Sequence, residues 1–349
     1  MRNPRTVVVD DSRFMRGLIT DLLDEAGIPV VGEAKDGREA LSVIAETEPD
    51  VVTMDLEMPN MNGIEAVERV MVENPTPVLK LSAYTDDDAE VTFEALEKGA
   101  VDFFAKPGGE VSMEVSRLGD QLVETVRTVA DADIEQANRT EPATTTAAAG
   151  ATGSPTAEPS TDTDAFDDTR TVIIGSSTGG PNAVEQVISE LPGGDCRVII
   201  VQHMPEAFTA RFADRLDGAT SQYTVRESTD GARVGAGEAL VAKGGKHLEI
   251  TGYRNGRLRV GHIDDDLGHS VMPAVNVTME SAAETVTDPL TGVILTGMGA
   301  DGADGICAIQ AAGGPTLAQS EESCVIYGMP KRAVEAGCID SVCHLDDVA

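Results

Sequence analysis

The sequence predicts two doubly wound α/β domains in one chain, and three observations carry that prediction. The first is size: 349 residues with 41% hydrophobic content suffice to bury two separate cores. The second is alternation. Short β-branched runs trade places with helix-periodic stretches on both sides of a central break, the pattern of parallel sheets covered by helices. The third is the break itself, NRTEPATTTAAAGATGSPTAEPSTDTDA over residues 138–165. It is Ala, Thr, Pro, Gly and Ser without hydrophobic periodicity and cannot bury a core. The expected division is a first domain over residues 1–125, a linker over 126–168 and a second domain over 169–349.

In the first half, Thr6–Val9 is a short β-branched strand. Ser12 caps a helix running to about Glu25, with Phe14, Leu18 and Leu22 on one face and Gly27 as its stop. Further strands are expected at Val30–Ala34, Val51–Asp55, Val78–Ser82 and Asp102–Ala105, and a helical stretch at Val115–Ile134 precedes the break. In the second half, strands are expected at Thr171–Gly175, Val198–Gln202, Ala239–Ala242 and Gly292–Leu295. The first of these runs into a glycine-rich turn and a helix starting near Pro181. No internal repeat links the halves.

Composition narrows the function classes. Aromatic residues make up 3% and there is no Trp, so aliphatic side chains must do most of the packing. With 60 acidic residues against 26 basic ones the formal net charge is -34. That charge repels nucleic-acid phosphates and argues against DNA binding. The acids are spread through patterned segments, and Lys is rarer than Arg, which fits the acidic surface of a protein from a salt-rich cytoplasm. The five cysteines include no C-x-x-C pair, so reduced core thiols are expected rather than a disulfide framework or a zinc site. No apolar run approaches a membrane span and the N-terminus lacks a secretory pattern, so a cytoplasmic protein without membrane insertion is expected.

The strand ends of the first half carry chemistry. Asp10 and Asp11 end the first strand, Asp55 the third and Ser82 the fourth, and Lys106 follows the fifth. In an open parallel sheet, ligands sit at the carboxyl ends of the strands, so these groups converge on one edge. A lone Asp at a strand end is usually a turn or cap residue, but several at matching ends are hard to explain that way. Clustered carboxylates need a compensating cation, and oxygen ligands of this kind suit Mg²⁺. Asp55 is then placed as a nucleophile toward a phosphoryl donor, with Lys106 pairing the phosphoryl oxygens.

The segments VVVDDS, MDLEMPNMNG, LSAYT and AKP resemble the receiver domain of two-component response regulators over residues 5–125. The resemblance implies a flavodoxin-like fold in which Asp55 becomes an aspartyl phosphate. It implies that Mg²⁺ is held by Asp11, Asp55 and the backbone carbonyl of Glu57, with Asp10 nearby. Ser82 and Lys106 would sense the phosphate.

In the second half, VIIGSSTGGP runs from strand to helix, and Gly175–Gly179 fits G-x-S-x-G with Ser177 central. That pattern puts a serine on a sharp turn and leaves helix N–H groups free for an oxyanion. A phosphate-binding turn is the rival, but the spacing is not G-x-G-x-x-G and no P-loop lysine is present. Five histidines are available as a base. His203 follows the strand Val198–Gln202, at the same sheet edge as Ser177. His247, His262, His269 and His344 read as structural or exposed. Asp301, after GVILTG, is placed to orient the base, with Asp304 a competitor three residues on. The order Ser, His, Asp differs from that of α/β-hydrolases.

The motifs IGSSTGGP, VQHMP, LTGMGADG and ESCVIYGMPKRA resemble the catalytic domain of chemotaxis protein-glutamate methylesterases, the CheB family, over about residues 170–345. That family also places a receiver before this domain. The resemblance implies the triad Ser177, His203 and Asp301, with the backbone N–H groups of Met298 and Thr178 in the oxyanion hole. It implies methyl-ester hydrolysis and glutamine deamidation on chemoreceptors, with no cofactor for the esterase step and a chemotaxis histidine kinase as phosphoryl donor. Two departures stand out. Ser176 takes the place of the family's usual alanine, which leaves two candidate nucleophiles, the central one favoured. His269–Asn276 replaces the usual His-Arg-Pro-Ser-Val-Asp, so the arginine is gone. A DNA-binding response regulator and a phospho-regulated adaptor with an inert esterase site are the readings from other classes.

Overall fold

The computed structural model describes residues 3–82, 86–106, 113–134 and 169–349. Residues 135–168 of the expected linker and Pro107 lie outside these described residues. The first unit alternates β1 (Thr6–Val9), α1 (Arg13–Glu25), β2 (Val30–Ala34), α2 (Gly37–Thr47), β3 (Val51–Asp55), α3 (Gly63–Glu73), β4 (Val78–Ser82), α4 (Asp86–Glu97), β5 (Asp102–Ala105) and α5 (Met113–Ala130). Its strands form one parallel sheet in the order β2-β1-β3-β4-β5. That order reverses direction beside β1, the arrangement in which a crevice opens at the strands' carboxyl ends.

Local chemistry sets these elements. Ser12 accepts from the Met15 N–H to open α1, and Asp36 and Asn62 do the same for α2 and α3 through Glu39 and Glu65. β1 and most of β3 are buried and rich in valine, as central parallel strands must be. The α1 face differs from expectation. Ile19 and Leu23 are the buried residues, whereas Phe14 is 73% exposed. Ile19 and Leu23 stand four apart and point to the core with Leu22 beside them, and Phe14 falls off that stripe at the first turn. α5 runs through Ala130 with Val126 and Val129 buried, so the first unit extends beyond residue 125.

The second unit is built on β6 (Arg170–Ser176), α6 (Gly180–Glu190), β7 (Cys196–Gln202), α7 (Glu206–Ala219), β8 (Thr224–Glu227), β9 (Arg233–Val234), β10 (Glu238–Val241), β11 (His247–Arg254) and β12 (Arg257–Ile263). It continues with α8 (Val275–Thr285), β13 (Leu290–Ile294), α9 (Ala303–Ala311), β14 (Thr316–Gln319), α10 (Met329–Glu335) and β15 (Ser341–Cys343). Seven strands form a parallel sheet in the order β15-β14-β13-β6-β7-β10-β8. The chain builds outward from β6 on one side, then returns to β13 on the other. β6 is therefore a switch point, and the ends of β6, β7 and β13 lie side by side. A three-stranded antiparallel sheet, β11-β12-β9, was not expected from the sequence. Its Leu248, Ile250, Leu258 and Val260 pack with Val275 and Met279 of α8.

One expectation about cysteine fails. Cys307 on α9 and Cys338 after α10 form a disulfide, while Cys196, Cys324 and Cys343 are free. The pair is separated by 31 residues and meets only because α9 and α10 pack together, which no spacing rule reveals. None of the described helices is long and apolar enough to cross a membrane.

Candidate functional site

The first unit gathers its acids as expected. One carboxylate oxygen from each of Asp10, Asp11 and Asp55 can be chosen so that all lie within 4.8 Å of one another. Lys106 Nζ bridges Asp10 Oδ2 and Asp55 Oδ2, each at 2.8 Å. The Leu56 N–H donates to Asp55 Oδ1 at 2.8 Å and the Ser12 N–H to Asp10 Oδ1 at 2.9 Å. Burial pushes the Asp55 carboxyl up, opposed by Lys106 and reinforced by Asp10. Burial lowers Lys106, but its bonds to Asp10 and Asp55 outweigh that and raise it. One lysine charge does not balance three carboxylates, and the donors are all oxygen. The cluster therefore fits a hard divalent ion such as Mg²⁺. Glu57 lies two residues past Asp55 with an exposed side chain. Ser82 is buried, and its hydroxyl lies 3.3 Å from Lys80 Nζ and 3.4 Å from Thr92 Oγ1.

In the second unit, Ser177 follows β6 on the turn into α6 and is half-buried. Its N–H donates to the Thr296 carbonyl at 3.0 Å, and its carbonyl accepts from the Gly180 N–H at 2.7 Å. Gly297 lies so close that a Cβ there would sit 2.7 Å from Ser177 Cβ. His203 follows β7, and its N–H donates to the Ser176 carbonyl across the β6–β7 register. His203 Nε2 pairs with Asp301 Oδ2 at 2.8 Å. The same oxygen accepts from the Val275 N–H at 2.6 Å, and Asp301 Oδ1 accepts from the Asn276 N–H at 3.1 Å. Burial works to raise the Asp301 carboxyl, but His203 and these two amides overcome it, so the carboxyl lies below its usual value.

Sequence reasoning placed these residues at neighbouring strand ends, and the structure brings His203 and Asp301 into contact. Asp304 is exposed on α9 and takes no part. Among the described residues no hydrogen bond joins Ser177 Oγ to His203, a looseness common in substrate-free sites. Ser176 is fully buried and donates to Gln202 Oε1 at 2.6 Å. The departure segment His269–Asn276 supplies the two amides on Asp301. Asn276 Oδ1 also accepts from the Gly302 and Gly305 N–H groups. The segment was singled out only as a departure, and its role in holding Asp301 was missed because backbone donors leave no sequence signal. The other histidines are structural or peripheral: His247 is buried between the Asp266 carbonyl and the Ala274 N–H, His262 meets Ser228, His269 lies edge-on to His247, and His344 accepts from Asp346.

The two units meet over this edge. Thr178 Oγ1 donates to Asp102 Oδ2 of β5 at 2.6 Å. Thr128 Oγ1 of α5 donates to Met298 Sδ at 2.6 Å. Asn182 donates to the Leu96 carbonyl, Phe93 stacks on Phe212, and Phe103 lies tilted against Phe208. A cleft of about 340 Å³ lies between Thr128 and Asp131 on one side and Met298, Gly299, Tyr327 and Gly328 on the other. Burial at this interface pushes the Asp102 carboxyl up to about 6, against the Thr178 hydroxyl and the Phe103 N–H. Asp102 has no motif around it and was not singled out from sequence.

Together the two edges define a class: a phospho-acceptor module joined to a hydrolase module built on a parallel sheet. Two family patterns match the chain, CheB methylesterase over residues 172–349 and response regulator receiver domain over residues 6–115. The chain belongs to the CheB methylesterase family, as its motifs suggested. It is 57% identical over 353 residues to a Haloarcula marismortui protein named protein-glutamate methylesterase/protein-glutamine glutaminase, covering 99% of this chain and 95% of that one. A Natronomonas pharaonis protein of the same name is 54% identical, covering 98% of this chain and 95% of its own. Among solved structures, the Thermotoga maritima CheB methylesterase catalytic domain is 38% identical, covers 51% of this chain and 94% of that chain, and gives a TM-score of 0.48. The response regulator domain of Thermotoga maritima CheB is 46% identical, covers 38% of this chain and 99% of that chain, and gives a TM-score of 0.35.

Proposed function

We propose that this chain is a phosphorylation-controlled serine hydrolase for chemotactic adaptation. It cleaves γ-glutamyl methyl esters, and deamidates glutamine, on the cytoplasmic helices of methyl-accepting chemotaxis receptors. The observation that carries this reading is the His203–Asp301 pair beside Ser177 at adjoining strand ends.

Asp301 accepts from His203 Nε2, which leaves Nδ1 to take a proton. Ser177 Oγ attacks the ester carbonyl and passes its proton to that nitrogen. The tetrahedral oxyanion is met by the N–H groups of Met298 and Thr178, neither of which has an acceptor among the described residues. The C–O bond to the methoxy group breaks, and His203 returns the proton so that methanol leaves. Water, deprotonated by the same imidazole, hydrolyses the acyl-serine to glutamate and free Ser177. An amide passes through the same intermediate with ammonia as leaving group. The ester step requires no cofactor.

The first unit, through α5, is the receiver; the second, from Thr169, is catalytic; a linker joins them. Asp55 accepts the phosphoryl group from a chemotaxis histidine kinase. Asp10, Asp11, Asp55 and the Glu57 carbonyl would hold Mg²⁺, which would supply positive charge against the transferred phosphoryl group. Ser82 and Lys106 sense the phosphate. Asp102 and Thr128 rest on Thr178 and Met298, so the docked receiver obstructs the proposed oxyanion donors. Phosphorylation favours the undocked population. The protein acts in the cytoplasm, without membrane insertion, and its charge of -34 excludes it from nucleic acid. The test is methanol release from methylated receptor membranes in high salt. Wild type is expected to release methanol and Ser177→Ala none; equal release by both overturns the assignment.

A further inference from the structure

Gln202 ends β7 immediately before His203 and is 2% exposed. A buried primary amide must place two N–H donors and a carbonyl acceptor, and all are engaged here. Nε2 donates to the Ser177 carbonyl at 2.9 Å and to the His203 carbonyl at 3.1 Å. Oε1 accepts from Ser176 Oγ at 2.6 Å. One amide group therefore ties together the backbones of the proposed nucleophile and base. Space for it is reserved by Gly180, where a Cβ would sit 2.1 Å from Oε1.

We infer that Gln202 is a positioning residue that sets the Ser177–His203 spacing, and that Ser176 anchors its amide oxygen. The reversed amide would turn Oε1 toward two carbonyl oxygens and leave the Ser176 hydroxyl facing a donor. The Ser177 and His203 carbonyls can only accept, so they make that orientation the losing one, and the Ser176 hydroxyl then anchors Oε1 in the orientation they select. Ser177 Oγ and His203 form no hydrogen bond among the described residues, so their approach depends on how firmly the two backbones are held. An error of about 1 Å there costs about a hundredfold in rate. This role also gives the buried Ser176 hydroxyl a task other than nucleophilic attack.

The inference rests on Ser177 as nucleophile. Its test therefore compares Ser177→Ala, Gln202→Glu, Gln202→Met and Ser176→Ala in the full chain. Methanol release from methylated receptor membranes is followed across pH, and thermal melting checks folding. Gln202→Met removes both donors, and kcat should fall about a hundredfold with KM within about twofold. Gln202→Glu donates only when protonated, so its kcat should decline with rising pH through an ionisation absent from wild type. Ser176→Ala removes one small hydroxyl and should lower kcat about fivefold at unchanged KM. If the Gln202 variants do not fold, the Ser176→Ala result decides: wild-type kcat there overturns the inference. Folded Gln202 variants with wild-type kcat and pH profile overturn it as well, while Ser177→Ala stays inactive. Activity in Ser177→Ala overturns the underlying reading instead.

Discussion

Replacing Asp102 by Asn should tighten the resting state of the enzyme. In the docked arrangement the Asp102 carboxyl sits at about 6, against an ordinary value of 3.8 when free in water. Because the docked value is the higher one, docking gains from this group fully below the free value. That gain is lost as pH rises through about 6. Near neutral pH the interface therefore holds a charge it disfavours. The gap corresponds to at most about 3 kcal/mol, and residual solvent access reduces this to about 1–2 kcal/mol. Asn carries no charge, and its carbonyl still accepts from the Thr178 hydroxyl. Docking should strengthen roughly ten- to thirtyfold near neutral pH. The assay is basal methanol release from methylated receptor membranes without a phosphoryl donor, as the ratio of variant to wild type, so that titration of the catalytic groups cancels. The ratio should lie near 0.1 or below at neutral pH and climb toward unity only as pH falls below about 6 to the free value of 3.8, where wild-type Asp102 is protonated whether docked or undocked. A ratio that is pH-independent, or above unity at neutral pH, refutes the reasoning.

Gly297→Ala places a methyl group 2.7 Å from Ser177 Cβ and 2.9 Å from Ser177 N. The displaced serine should lose about a hundredfold in kcat, while Asp55 still accepts phosphate from a small donor. Asp301→Asn keeps hydrogen-bonding atoms beside His203 but removes the charge that fixes its tautomer, and kcat should fall by about 10³–10⁴ with folding intact. Lys106→Ala leaves Asp10 and Asp55 without their shared cation, and phosphorylation should no longer raise esterase activity although Mg²⁺ binding is retained. With a net charge of -34, thermal stability should drop on dilution from molar salt to about 0.1 M, where the screening length grows from about 3 Å to about 10 Å; an unchanged melting temperature removes the salt argument.

Much of the site was readable from sequence because α/β architecture delivers strand ends to one edge. Asp10, Asp55 and Lys106 met as expected, and so did His203 and Asp301, because each follows a short apolar run that reads as a strand. What escaped notice acts through backbone groups or across the chain. The Val275 and Asn276 amides on Asp301 have no side-chain signature. Asp102 matters only because the second unit lies over it, and Cys307 finds Cys338 only through helix packing. The antiparallel sheet hid because β9 is two residues long and β11 and β12 alternate only partly. Phe14 misled because a large apolar residue at the start of a helix was counted on the inner stripe, while Ile19 and Leu23 bury there.

The most direct test of a receiver-controlled serine esterase is methanol release from methylated receptor membranes in molar salt, with and without acetyl phosphate and Mg²⁺. Wild type, Asp55→Ala and Ser177→Ala are measured side by side. The account predicts release by wild type that rises with the phosphoryl donor, a low and unresponsive rate in Asp55→Ala, and none in Ser177→Ala. Full stimulation of Asp55→Ala, or release by Ser177→Ala equal to wild type, contradicts it.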